Sequence, residues 1–178
     1  MNKNEFAGII KNRKKLNSPI LIAHRGLSSL APDNSIEAIR LACEKKYCDG
    51  VEFDILETAD HHLVVRHNRT IVINGKRFWI KDVPLSKLRL YESKTSVPQF
   101  EDLLEILKGN NKLIDIEIKS PGIAEKIISI CKTNKIFDML IFSSLYFDIH
   151  QEIERVDKNI ARIFGYPRDR GKDLAQQR

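Results

Sequence analysis

Residues 51–67 read VEFDILETADHHLVVRH, and their pattern decides how the rest of the chain folds. The opening is apolar and β-prone, as in a strand covered on both faces, yet Glu52 and Asp54 stand two apart within it. Side chains alternate across a strand, so both carboxylates point to one face. A second apolar run, HLVVRH (62–67), ends in His67. Carboxylates are rarely buried in such a strand without partners, so this face has a task to perform.

Outward from this stretch, strands and helices alternate. PILIAH (19–24) reads as a buried strand and DGVEFDI (49–55) as the second. Between them, in PDNSIEAIRLACEKK, Ile36, Ile39 and Cys43 recur at helical spacing, with Asp33, Asn34 and Ser35 as candidate caps. IVINGKRFWI (71–80) carries Asn74-Gly75 between apolar runs, the signal of a tight hairpin, here an insertion. VPQFEDLLEILKG predicts a helix with Pro98 at its mouth and Gly109 near its end. KLIDIEIKS (112–120), DMLIFSSL (138–145) and IARIFGY (160–166) read as strands, and PGIAEKIISICKTN and YFDIHQEIERVDK as helices. A single domain is expected over residues 1–178: an N-terminal helix in 1–18, strand-helix units over 19–166, and a polar tail in 167–178. The alternation argues for a parallel α/β fold, either a doubly wound sheet or a (β/α) barrel. In both, functional groups collect at the carboxyl ends of strands. His24, Asp54, His67 and Lys119 each fall at or near such an end.

Charge narrows the ligand. The 178 residues carry a net charge of +6 and a pI of about 9.2, which suits a phosphate ester or an anionic surface. Nucleic acid is disfavoured, because the basic residues are scattered and not interleaved with aromatics along one face. No apolar run is long enough to span a bilayer, and the N-terminus lacks the apolar core of a signal peptide, so a cytoplasmic location is expected. Residues 3–16 set Lys11, Arg13, Lys14 and Lys15 beside Phe6, Ile9, Ile10 and Leu16. Such a segment either caps the fold or makes a peripheral membrane contact as a basic amphipathic helix. Cys43, Cys48 and Cys131 are odd in number and lack metal-ligand spacing, so they read as buried thiols.

Glu117 and Lys119 share parity on their strand as Glu52 and Asp54 do on theirs. Carboxylates crowded on one face repel, and a divalent cation removes the repulsion. Oxygen ligands suit a hard ion, Mg²⁺ or Ca²⁺, with Glu52, Asp54 and Glu117 as candidate ligands. The alternative is a structural ion network in which Glu117 pairs with Lys119 or Arg25. His24 opens HRG, where Gly26 permits a tight turn and Arg25 reaches the mouth. His24 and His67 near a metal and an arginine make a general acid/base pair. His61 and His62 are placed at the opposite end of the sheet and read as solvated, as does His150 on its helix. Metal, arginine and lysine together favour phosphoryl transfer, and no phosphate-binding G-x-x-x-x-G-K-[ST] loop for nucleoside triphosphates is present.

These motifs resemble the glycerophosphodiester phosphodiesterase family. HRGLSSLAPDNS is similar to its H-R-G followed by P-E-N-[ST]; EFDILETADHHLVVRHN to its E-x-D, T-x-D and apolar strand ending H-D; SVPQFEDLLEIL to its I-P-[ST]-L-E-E-[VL]-L; and IEIK to its E-[IL]-K. The resemblance implies a TIM-type barrel that hydrolyses glycerophosphodiesters to an alcohol and glycerol phosphate. It assigns metal binding to Glu52, Asp54 and Glu117, catalysis to His24 and His67, and phosphate contact to Arg25 and Lys119. In the mechanism it implies, a substrate glycerol hydroxyl attacks phosphorus, one histidine takes its proton and the other protonates the leaving alcohol. Three departures stand out. Asp33 replaces a glutamate, Asn68 replaces the aspartate after the second histidine, and the chain is shorter than the about 200–250 residues of a (β/α)₈ barrel. An incomplete barrel of about six of eight strands is therefore expected, with open edges at ILIAH and ARIFG that invite self-association. Two other functions remain open at this point: a truncated or degenerate relative that binds metal or phosphoester with little turnover, and a basic membrane-surface binding protein.

Overall fold

The computed structural model describes residues 17–91 and 97–165. The expected N-terminal helix, including residues 3–16, and the tail 167–178 lie outside the described residues. The elements are β1 (Ile22–Ala23), α1 (Ile36–Glu44), β2 (Gly50–Glu57), β3 (Leu63–Val65), β4 (Thr70–Ile73), β5 (Lys76–Trp79), α2 (Leu85–Tyr91), α3 (Leu104–Leu107), β6 (Leu113–Ile118), α4 (Ala124–Thr133), β7 (Leu140–Ser144), α5 (Phe147–Val156) and β8 (Ala161–Phe164). Short 3₁₀ turns precede α2, α3 and β7, so the helix expected after Pro98 is a 3₁₀ turn running into one α-turn.

One six-stranded sheet carries the fold, in the order β1-β2-β6-β7-β8, with β3 also paired to β2. Every pairing along that path is parallel. The parallel α/β expectation holds, with one correction. β3 runs antiparallel to β2, pairing Ile55 with Val65 and Glu57 with Leu63. Only five residues (58–62) separate the two strands, too few for a crossover, so the chain must fold back as a hairpin. β1 and β3 share one side of β2, β1 along Gly50 and Val51 and β3 along Ile55 to Glu57. His61 and His62 are thereby moved from the far end of the sheet to the carboxyl end of β2, where both stay exposed as expected.

The two faces of the sheet differ in chemistry. Val51, Phe53 and Ile55 of β2 and Ile114, Ile116 and Ile118 of β6 face α1, α3, α4 and α5 in the main core. Ser35 starts α1 by accepting from the Ala38 N–H at 3.1 Å, and Ala38, Ile39, Ala42 and Cys43 form its buried stripe. The opposite parity puts Glu52, Asp54, Asp115, Glu117 and Ser143 on the other face. A second apolar cluster (Leu56, Val64, Ile71, Ile73, Ile80, Val83, Leu85, Leu88 and Val97) seats the β4–β5 hairpin and α2 over the end of that face. Asn74 (φ 50°) and Gly75 (φ 76°) turn the hairpin as expected. All three cysteines are buried and unpaired. His150 is a correction: it is buried, its Nε2 lies 3.0 Å from the Ser144 carbonyl, and its ring lies 4.9 Å from that of Phe164. Among the described residues no helix is long and apolar enough to cross a membrane.

Phe53 is the hinge between the two faces, because it is fully buried against Phe100, 6.1 Å between ring centroids, while its neighbours carry the carboxylates. Phe53→Ala should cost about 3–5 kcal/mol in urea denaturation through the lost contacts and the cavity left behind. A loss under about 1 kcal/mol would mean that β2 is not anchored by this core.

Candidate active site

The carboxyl end of the sheet is built around a turn. Arg25 (φ 58°) and Gly26 (φ 78°) both adopt left-handed backbone after β1. A side chain at Gly26 would sit 2.6 Å from the Ala38 carbonyl carbon, so only glycine lets the turn lie against α1. The turn aims the Arg25 N–H at Glu52 Oε2, 2.7 Å away, and the Gly26 N–H at the Glu52 carbonyl, 3.0 Å away. His24, its side chain 69% exposed, brings Nε2 to 3.8 Å from the same Glu52 oxygen. Arg25 sends its guanidinium across the mouth, with Nε 3.6 Å from Asp54 Oδ2 and a terminal nitrogen 3.3 Å from Asp33 Oδ2.

The predicted ligands meet. Glu52, Asp54 and Glu117 each offer an oxygen, and the three lie within 4.8 Å of one another. Asp54 Oδ2 accepts from Asn34 Nδ2 at 2.7 Å, and the Asp54 N–H donates to Asn34 Oδ1 at 3.1 Å. Lys119 Nζ lies 2.7 Å from Asp54 Oδ1 and 3.7 Å from Glu117 Oε1, and it donates to the His67 carbonyl at 3.3 Å. Glu52 Oε1 is buried and accepts no hydrogen bond among the described residues. A shared cluster of two buried carboxylates and one half-buried one, with Glu52 Oε1 lacking a donor, fits a hard divalent cation. The ion network posed as the alternative exists in part: Lys119 bridges the carboxylates, with Asp54 as its nearer partner.

His67 reaches this mouth by a different route from the one expected. It follows the antiparallel β3, and the Arg66 N–H bonds to the Asp54 carbonyl at 3.0 Å, so the chain returns alongside the carboxylates. Its Nδ1 lies 3.2 Å from Asn68 Oδ1. With Nδ1 protonated, the amide oxygen accepts and Nε2 keeps its lone pair.

Buried charge is out of balance here. Burial first, and the Asp54 charge second, push Glu52 up to about 8, against the Arg25 N–H. Burial pushes Glu117 up to about 7 against the pull of Lys119, and Asp115 up to about 6 against a hydrogen bond from Ser143. Burial also pushes on Asp54, but Lys119 and Asn34 outweigh it and hold that carboxyl below the usual value. Burial, helped by Lys119, holds His67 below 6.5.

The chain matches the glycerophosphoryl diester phosphodiesterase family over residues 24–163. It belongs to that family. Similar proteins include a glycerophosphodiester phosphodiesterase of Caldanaerobacter subterraneus, 34% identical over 70% of this chain and 57% of the relative. Another is an uncharacterized protein of Mycoplasma genitalium, 32% identical over 83% of this chain and 67% of the relative. The solved glycerophosphodiester phosphodiesterase of Thermotoga maritima superposes with a TM-score of 0.68 at 25% identity, over 88% of this chain and 66% of that one. The family's solved members are TIM-type barrels, and the sheet described here is an open arc of that barrel. The chain therefore spans between about half and two thirds of the length of these relatives.

Every family residue carried over from the motifs lies in the one mouth. The site role of three neighbours, Asn34, Asp115 and Arg69, was missed. Asn34 reads as a cap but is spent on Asp54, while Asp33 pairs with Arg25 and stands outside the carboxylate cluster. Asp115, two residues before Glu117, was legible by parity alone; it accepts from Ser143 Oγ at 2.7 Å. Arg69 donates to the Lys119 carbonyl and, at 2.6 Å, to Tyr146 Oη, and no local pattern announces that contact.

In the fold Glu52 and Glu117 keep protons at a pH where the unfolded chain, near 4.5, has released them. The metal-free protein should therefore lose stability as pH rises from about 5 to 8, at up to about 1.4 kcal/mol per pH unit per group. His67, held low, opposes this only in the lower part of the window, and Asp54 is ionised throughout. Thermal melts in chelator should show the midpoint falling by several degrees between pH 5.5 and 8, with Mg²⁺ or Ca²⁺ flattening the fall. A flat profile in chelator would contradict the buried-carboxylate picture.

Proposed function

We propose that the chain carries the catalytic mouth of a divalent-cation-dependent glycerophosphodiester phosphodiesterase. One observation carries the reading: three carboxylates, two cationic side chains and two imidazoles from distant segments converge at one end of the sheet. A glycerophosphodiester joins glycerol and an alcohol through one phosphate, so the site must neutralise a phosphate and move two protons.

Glu52, Asp54 and Glu117 would hold Mg²⁺ or Ca²⁺, which would supply Lewis-acid polarisation of the phosphoryl group. Arg25 and Lys119 balance the remaining phosphate charge. His67, kept neutral by burial and Lys119, is the proton acceptor for the substrate's glycerol hydroxyl. As the oxygen–phosphorus bond forms, the bond to the alcohol breaks, and solvent-open His24 supplies the proton that the leaving oxygen needs. Water then opens the cyclic phosphodiester, giving a proton to His24 while His67 returns its own to the released glycerol oxygen, and glycerol phosphate results. Asn68 holds His67 in the required tautomer but adds no charge to it. That amide favours a second reading, a relative that binds metal and phosphoester and turns over slowly.

Steady-state hydrolysis of glycerophosphoglycerol with Mg²⁺ or Ca²⁺ tests the proposal, and turnover abolished by chelator is expected. Metal and phosphoester binding without turnover would select the second reading. Glu52→Gln and Glu117→Gln should each weaken divalent binding in calorimetry at least about tenfold, roughly 1.4 kcal/mol. Unchanged affinity in both would remove these ligands from consideration.

His24→Ala and His67→Ala should each lower kcat by about 10²–10⁴ with the thermal midpoint nearly unchanged. A large loss of stability with activity per folded molecule intact would make the histidines structural.

A further inference from the structure

The β4–β5 hairpin and α2 do more than cover the second apolar cluster. Ile71, Ile73 and the half-buried Phe78 face that cluster. The other face of the hairpin sets Val72 against Arg77 and Thr70 against Trp79, and it points outward. Val72 is 58% exposed and Trp79 42%, and Leu90, at the end of α2, is 71% exposed. Exposed Tyr91 lies beside the hairpin tip, its Oη 3.3 Å from Asn74 Nδ2.

The same segment concentrates the chain's excess charge. Residues 69–91 hold Arg69, Lys76, Arg77, Lys81, Lys87 and Arg89 against Asp82 as the one acidic residue, a net +5 where the whole chain has +6. Lys76, Arg77, Lys81 and Arg89 are exposed. Arg69 turns inward to the Lys119 carbonyl and Tyr146, which ties the base of the hairpin to the rim of the active site. A hairpin with a tryptophan, a tyrosine and two aliphatic side chains among exposed basic residues has the composition of a membrane-interface contact. The aromatic rings suit the headgroup level and the cations suit anionic lipid.

We infer that the outer face of the β4–β5 hairpin, with the end of α2, docks on the surface of an anionic phospholipid bilayer. The contact draws on residues separate in sequence from the basic segment at 3–16 and on none of the mouth's own residues, and it does not depend on turnover. It would hold the mouth beside a lipid surface.

Trp79 is the only tryptophan, so its emission reports on this face alone. The full chain is mixed with phosphatidylcholine vesicles, or with phosphatidylcholine vesicles containing one third phosphatidylglycerol, at low and high salt. Co-sedimentation with the anionic vesicles and a blue shift of Trp79 are expected, both lost at high salt and with neutral vesicles. K76E/R77E and V72D should each weaken the association at least about tenfold. Both should leave the circular dichroism and the hydrolysis of a water-soluble substrate unchanged, since neither touches the mouth. K11E/K14E should leave the Trp79 shift in place. Three results would overturn the inference. These are no binding to anionic vesicles at low salt, binding that persists in K76E/R77E, and a Trp79 shift produced equally by inorganic phosphate.

Discussion

Everything at the carboxyl end of the sheet answers to one constraint: four carboxyl groups share a buried face. Strand parity makes this unavoidable. Once Phe53 and Ile116 are committed to the helices, Glu52, Asp54, Asp115 and Glu117 have only the other side to occupy. The register sets Glu52 opposite Asp115 and Asp54 opposite Glu117. Directly paired like charges on adjacent strands repel, and burial removes the water that would screen them. Among the described residues Lys119 and Arg25 are the cations that reach in, fewer than the carboxyl groups they face. The remainder is met by protons in the metal-free protein, and a divalent ion held there would meet it instead. The pKa elevation of Glu52 and Glu117 and the fit to a hard cation are therefore one fact seen under two conditions.

The turn at 24–26 solves a second problem created by the first. Glu52 needs donors, and the sheet has few to give it, because the backbone amides of β1 and β2 are spent on strand pairing. Left-handed backbone at Arg25 and Gly26 swings amides out of the ladder and toward Glu52. The same turn releases His24 into the solvent-facing rim and directs the guanidinium toward Asp54. Three roles that a motif describes as H-R-G are thus consequences of one backbone conformation, and the lack of a side chain at Gly26 makes it possible.

Much of this was legible in the sequence wherever a short-range rule governed. Period-two alternation put Glu52 with Asp54 and Glu117 with Lys119, and Asn74-Gly75 announced its hairpin. The direction of β3 was misread because alternation suggests parallel strands, whereas the length of the 58–62 connection decides the matter sterically. That single reversal also moved His61 and His62 and changed the route by which His67 arrives. His150 went astray for a similar reason. A helix period locates a residue on its helix, but its burial depends on the packing of Phe164 from the next strand. Asn34 and Arg69 were missed because their partners, Asp54 and the Lys119 carbonyl, lie 20 and 50 residues away and leave no local pattern.

Lys119 raises the question of why a lysine beside the carboxylates does not make a metal superfluous. Its ammonium stands close to Asp54, farther from Glu117, and it leaves Glu52 Oε1 without any partner. A single charge on a tethered stem cannot bond to three divergent oxygens at once, whereas a bare cation takes six or more from all sides. Occupancy by a divalent ion would satisfy Asp54 independently and leave the ammonium with less to hold it there. An ammonium so released would have its three donors open to another anion. The Lys119–Asp54 pair is the closest of the contacts that the ammonium makes with the carboxylates. The hydrogen bond that Arg69 makes to the Lys119 carbonyl ties the backbone beneath that ammonium to the base of the β4–β5 hairpin.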